Sequence, residues 1–71
     1  MFIEVKNKDG KQLIVNTDRI ETIRRPYDNE RYANGGKDAD SIRTVMFLTG
    51  VESPFYLSTY YDVLVRRLEV K

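Results

Sequence analysis

Apolar and polar residues alternate in two short runs at the start of the chain. Ile3 and Val5 share one face of a run from Phe2 to Asn7, and Glu4 and Lys6 point the other way. Leu13 and Val15 repeat the pattern within Lys11 to Asn16. Asp9-Gly10 stands between the runs. Asp-Gly in that setting predicts a β-hairpin with a type I′ turn, which needs positive φ at both central residues. Asn16-Thr17-Asp18 then interrupts the alternation, because Asn and Asp side chains bond the backbone just ahead and start turns. Ile20 and Ile23, three apart, fit one face of a helical turn, or a turn leading into a short strand over Glu21–Arg25. We take the turn and strand, which Pro26 ends.

From Ser41 to Thr49, Ile42, Thr44, Met46 and Leu48 lie on one face, and Arg43, Val45, Phe47 and Thr49 on the other. Both faces become apolar toward Val45–Leu48. That predicts a central strand covered on both sides, or one whose second face meets another subunit. A turn over Thr49–Ser53 follows. Pro54 then opens a strand in which Phe55 and Leu57 alternate with Tyr56. Tyr60, Leu64 and Leu68, four apart, with Tyr61 and Val65 beside them, predict a helix over 59–69. Ser58 or Thr59 suits its N-cap, Asp62 its first turn, and Arg66, Arg67 and Lys71 its last turns. The element order predicts a single α+β domain over 1–71. It is a small antiparallel β-sheet, a meander of four to five strands, with one C-terminal α-helix packed on it.

Several of these pieces together resemble the FlbD-like family of small flagellar and swarming-motility proteins. They are the Asp9-Gly10 turn, VNTDRIETI from Val15 to Ile23, Phe47 to Gly50, and Ser58 to Leu68. The resemblance implies the strand–turn–strand topology with a short terminal helix and a bacterial source. It brings no catalytic motif. Arg24 to Ser41 departs from the family, which is compact there.

That departing stretch, RRPYDNERYANGGKDADS, carries four basic and four acidic residues and almost no aliphatic side chains. It cannot build a core. With Gly35-Gly36 and Asp38–Ser41 reversing the chain, residues 28–40 read as a mobile hairpin loop between the third and fourth strands. Arg24, Arg25, Tyr27, Arg31 and Tyr32 interleave guanidiniums with aromatics, an arrangement that stacks bases and holds phosphates. The four acidic residues cancel that charge locally, and the whole chain is only +1, far from the basic footprint of a typical nucleic-acid binder.

Cys and His are both absent. Disulfides, thiol nucleophiles and the commonest general base are therefore excluded, and no enzyme activity is expected. Asp38-Ala39-Asp40-Ser41 begins like a calcium loop, but Ile42 stands where a third ligand is needed. No metal or cofactor is expected. No segment approaches the ~20 apolar residues of a membrane span, and MFIEVKNK lacks the pattern of a signal peptide, so a soluble cytoplasmic protein is expected. A chain this short buries only about 60–65% of its unfolded surface. Without disulfides or metal, oligomerisation is the remaining device for stability. If the strands pair in register, Val45, Phe47 and Tyr56 share a second apolar face, the expected interface with a protein partner or a second copy. The long polar stretch folding back over that face is the competing outcome. The expected function is a non-enzymatic protein-interaction or regulatory module that self-associates as a homodimer; a weak single-stranded nucleic-acid binder is the alternative.

Overall fold

The computed structural model of the chain describes residues 1–33 and 35–69. It holds five antiparallel strands in two sheets and a C-terminal helix, the α+β class that the pattern predicts. β1 (Phe2–Lys6) pairs with β2 (Gln12–Asn16), with Ile3 opposite Val15 and Val5 opposite Leu13. Four apolar side chains thus enter the core as cross-strand pairs. The turn differs from the expected type I′. Gly10 has φ +84°, whereas Asp9 keeps a negative φ. The Asn7 N–H bonds the Lys11 carbonyl at 2.9 Å, and the Gly10 N–H bonds the Asn7 carbonyl at 2.9 Å. This is a three-residue loop closed by a glycine bulge. Asn7 is the reason: its Oδ1 accepts from the Asp9 and Lys11 amides, 3.0 Å each, and leaves the left-handed position to Gly10.

Asn16 acts in the same way, accepting from the Asp18 amide at 3.0 Å to start a 3-10 turn over Thr17–Arg19. β3 (Ile20–Arg24) follows and pairs with β4 (Thr44–Leu48), with a register shift between Ile20 and Thr22. The shift explains the isoleucine spacing. Residues three apart in a regular strand face opposite sides. The extra residue of a bulge brings Ile20 and Ile23 to the same side, and both pack on the core.

β4 starts later than Ser41, because the Ser41 and Ile42 amides still bond the Asp38 carbonyl in a turn. Its second partner is β5 (Phe55–Leu57), with Val45 opposite Tyr56 and Met46 opposite Phe55. The expected single meander is therefore corrected: β1–β2 and β3–β4–β5 are separate sheets. They meet at an Asn7–Leu57 bridge, where the Lys8 amide bonds the Tyr56 carbonyl at 2.9 Å and the Ser58 amide bonds the Lys6 carbonyl at 2.8 Å.

Both sheets close on one core of Val5, Val15, Met46, Leu57 and Leu64. Leu64 comes from α2 (Tyr61–Glu69), and Leu68 packs beside it. The helix starts two residues after the predicted 59. Ser58 and Thr59 bind β1 instead of capping α2: the Lys6 amide donates to Thr59 Oγ1 at 2.9 Å, and the Ser58 hydroxyl donates to the Lys6 carbonyl at 3.4 Å. Among the described residues, no helix is long and apolar enough to cross a membrane.

Candidate functional site

The register aligns Arg24, Val45 and Tyr56 in one row across β3, β4 and β5, with Phe47 opposite Thr22. Val45, Phe47 and Tyr56 do share the second face, but that face is not open. Val45 is 0% exposed, and Phe47 and Tyr56 are half-buried. Val45 is thus corrected as a surface contact: the polar segment after β3 folds back over the sheet, the competing outcome foreseen for it.

Within that segment, read as a hairpin loop, lies a helical turn, α1 (Asp28–Arg31). Pro26 ends β3, and the Tyr27 carbonyl accepts from the Glu30 and Arg31 amides at 3.0 and 3.1 Å. Glu30 Oε1 reaches back to the Tyr27 amide at 2.8 Å, one half of a capping box. This sets the Glu30 carboxylate against Arg24. Nη1–Oε1 is 2.7 Å and Nη2–Oε2 is 2.9 Å, a two-pronged ion pair. The Arg24 guanidinium also lies 4.2 Å from the centre of the Tyr27 ring and 5.5 Å from that of Phe47. The hydrogen bonds from Arg24 hold the Glu30 carboxyl below the ordinary glutamate range. They outweigh desolvation, with smaller help from the Tyr27 amide and the Tyr56 hydroxyl. The same pairing raises Arg24. Beyond α1, Arg31 Nε donates to the Ala39 carbonyl at 3.1 Å, and Lys8 Nζ pairs with Asp38 Oδ2 at 3.2 Å.

The five residues read as a base-stacking platform are therefore divided. Arg24 is engaged by Glu30 and stacked on Tyr27. Tyr27 and Tyr32 are exposed, Tyr32 with its ring centre 5.6 Å from the Arg31 guanidinium. Arg25 turns to α2, pairing with Asp62 at 2.9 Å and lying 4.7 Å over the Tyr61 ring. Arg25 and Arg31 do come together, joined by Arg43, in a groove of about 680 Å³ beside the N-terminal end of α2. Arg43 Nη1 donates to the Ser58 carbonyl at 3.0 Å, and its guanidinium lies 4.4 Å over the Tyr60 ring. Sequence reasoning did not single out Arg43, Tyr60 or Tyr61 for this groove. The available signal was Arg43 as the one charge within the apolar run Ile42–Leu48.

A second surface lies on the outer side of the hairpin. Phe2, Glu4 and Lys6 of β1 share it with Gln12, Ile14 and Asn16 of β2. Phe2 is 66% exposed and Ile14 67%. Phe2 stands opposite Asn16, and Ile14 opposite Glu4, so the two apolar side chains are diagonal neighbours within reach of each other.

Comparison with protein-family models, curated proteins and solved structures finds no match to this chain. The FlbD-like resemblance therefore rests on the matching residues alone. Fold and surfaces together define a small α+β domain with an arginine–tyrosine groove and an outer hairpin face that exposes Phe2 and Ile14 among polar neighbours.

Proposed function

We propose that the chain is a non-enzymatic, cytoplasmic interaction module that self-associates through the outer face of the β1–β2 hairpin. The observation that carries this reading is the pair Phe2 and Ile14, two large apolar side chains left two-thirds exposed on one face. Adjacent exposed apolar groups on a small domain mark contact sites. Of the face first read as the interface, Val45 is fully buried, while Phe47 lies beside the Arg24 guanidinium and Tyr56 beside Glu30. A second copy suits the outer face by charge. Glu4 and Lys6 share the face with the apolar pair, and their opposite charges would allow a two-fold copy to set Glu4 against Lys6. Without His or Cys, the chain lacks the commonest general base and any thiol nucleophile.

Sedimentation velocity from low to high micromolar protein tests the reading. A concentration-dependent dimer is expected, lost in Ile14→Glu with the far-UV circular dichroism unchanged. A strict monomer at high micromolar concentration overturns self-association. A dimer that survives both Ile14→Glu and Phe2→Glu overturns the choice of face. Single-stranded nucleic-acid binding is the weaker reading, because Glu30 already occupies Arg24.

A further inference from the structure

Arg25, Arg31 and Arg43 converge on one groove with Tyr60 and Tyr61, in a chain whose net charge is only +1. We propose that this groove binds a nucleoside phosphate of mononucleotide size. Its volume, about 680 Å³, falls within the range of small-ligand sites. Two guanidinium–tyrosine stacks stand in its walls, Arg43 on Tyr60 at 4.4 Å and Arg25 on Tyr61 at 4.7 Å. Tyr60 is 60% exposed, which leaves ring surface for an aromatic base to stack on.

The phosphate has donors of two kinds, guanidiniums and helix amides. Besides its stack on Tyr61, Arg25 is held by an exposed pair with Asp62, the side chains 66% and 74% accessible, so a phosphate competes with that pair at little cost. Arg31 bonds the Ala39 carbonyl through Nε, which keeps its terminal Nη groups out of that contact. The first turn of α2, a nine-residue helix, adds amides without intrahelical acceptors at the positive end of the dipole. Asp40 and Asp62 in the same walls are acceptors suited to a ribose hydroxyl or a base amino group. Three guanidiniums against two carboxylates leave one net positive charge. That favours a single phosphate group over the phosphate track of a strand, which needs an extended basic stripe.

Chemical-shift titration of the amides and arginine Nε groups tests the proposal at low salt. The probes are adenosine 5′-monophosphate, adenosine, inorganic phosphate and a short single-stranded oligonucleotide. Shifts centred on Arg25, Arg43 and Tyr60–Val63 are expected, with the nucleotide binding more tightly than adenosine or phosphate alone. Arg25→Gln is expected to weaken the nucleotide about ten-fold. Tyr60→Ser is expected to abolish the advantage of nucleotide over phosphate. Both side chains are exposed, so both variants are expected to melt like the wild type. Absence of shifts at millimolar nucleotide overturns the proposal, as does phosphate binding as tightly as the nucleotide. An oligonucleotide that displaces the nucleotide from the groove overturns the small-ligand assignment. None of these outcomes depends on the oligomeric state, which concerns the outer hairpin face.

Discussion

Breaking the Arg24–Glu30 pair should loosen the segment that covers Val45. The pair is two-pronged at 2.7 and 2.9 Å, and its side chains are only 26% and 15% exposed. A hydrogen bond to a charged group contributes about 1.5–3 kcal/mol when well desolvated, and an exposed ion pair about 0–1 kcal/mol. This pair lies between those limits, so a coupling of about 1–2 kcal/mol is expected. In a domain of this size each kcal/mol moves the melting midpoint by about 4–8 °C. Glu30→Gln should therefore lower it by about 5–15 °C. A double-mutant cycle with Arg24→Met, which keeps bulk against Tyr27 and Phe47, isolates the coupling by urea denaturation.

The sign of the pH dependence follows from the depressed Glu30 pKa. A carboxylate depressed in the folded state stabilises the protein above its unfolded value of about 4.3, and that stabilisation fades as pH falls through the folded value. Wild type should lose more stability than Glu30→Gln on acidification from about pH 5 to pH 3. Hydrogen exchange at residues 27–33 and 43–47 should quicken in Glu30→Gln. A coupling below about 0.3 kcal/mol, with Val45 as protected in the variant as in wild type, would refute the idea that this pair holds the cover down.

Two further perturbations probe the core. Thr44 is fully buried and its hydroxyl donates to the Thr59 carbonyl at 2.7 Å. Thr44→Val should cost about 1–3 kcal/mol in urea denaturation by orphaning that carbonyl, and Thr44→Ser should recover most of the loss. Leu64 is 0% exposed and is the helix residue in the core cluster. Leu64→Ala should cost about 2–5 kcal/mol, enough to abolish a cooperative melt in a marginal domain; a sharp transition near the wild-type midpoint would contradict its role in closing the core.

Local periodicity made the elements legible. Alternation at Ile3/Val5 and Leu13/Val15 and the four-residue spacing of Leu64 and Leu68 are properties of neighbouring residues, and each element needs one buried face. Asn16 starting a turn is equally local. Other features were decided by contacts between distant parts of the chain. Ser58 and Thr59 look like helix caps, yet Lys6, 53 residues from Thr59, donates its amide to the Thr59 hydroxyl oxygen. The same junction splits the expected meander into two sheets. Ile20 and Ile23 carried the mark of a bulge, but a spacing of three is shared with a helical turn, and only pairing with β4 separates the two.

The surfaces divide in the same way. Phe2 and Ile14 were on the polar side of the alternation from the start, so their exposure follows from the two-residue period. Val45, Phe47 and Tyr56 share one face by register, but the burial of Val45 is not written in the alternation. Arg25 and Asp62 are 37 residues apart, and Arg43 and Tyr60 stand just ahead of β4 and α2. A one-dimensional pattern records which side of its own element a residue faces. Which guanidiniums are consumed in holding the fold, and which are left around a groove, is decided only when the elements pack and charges far apart in the chain compete for the same partners.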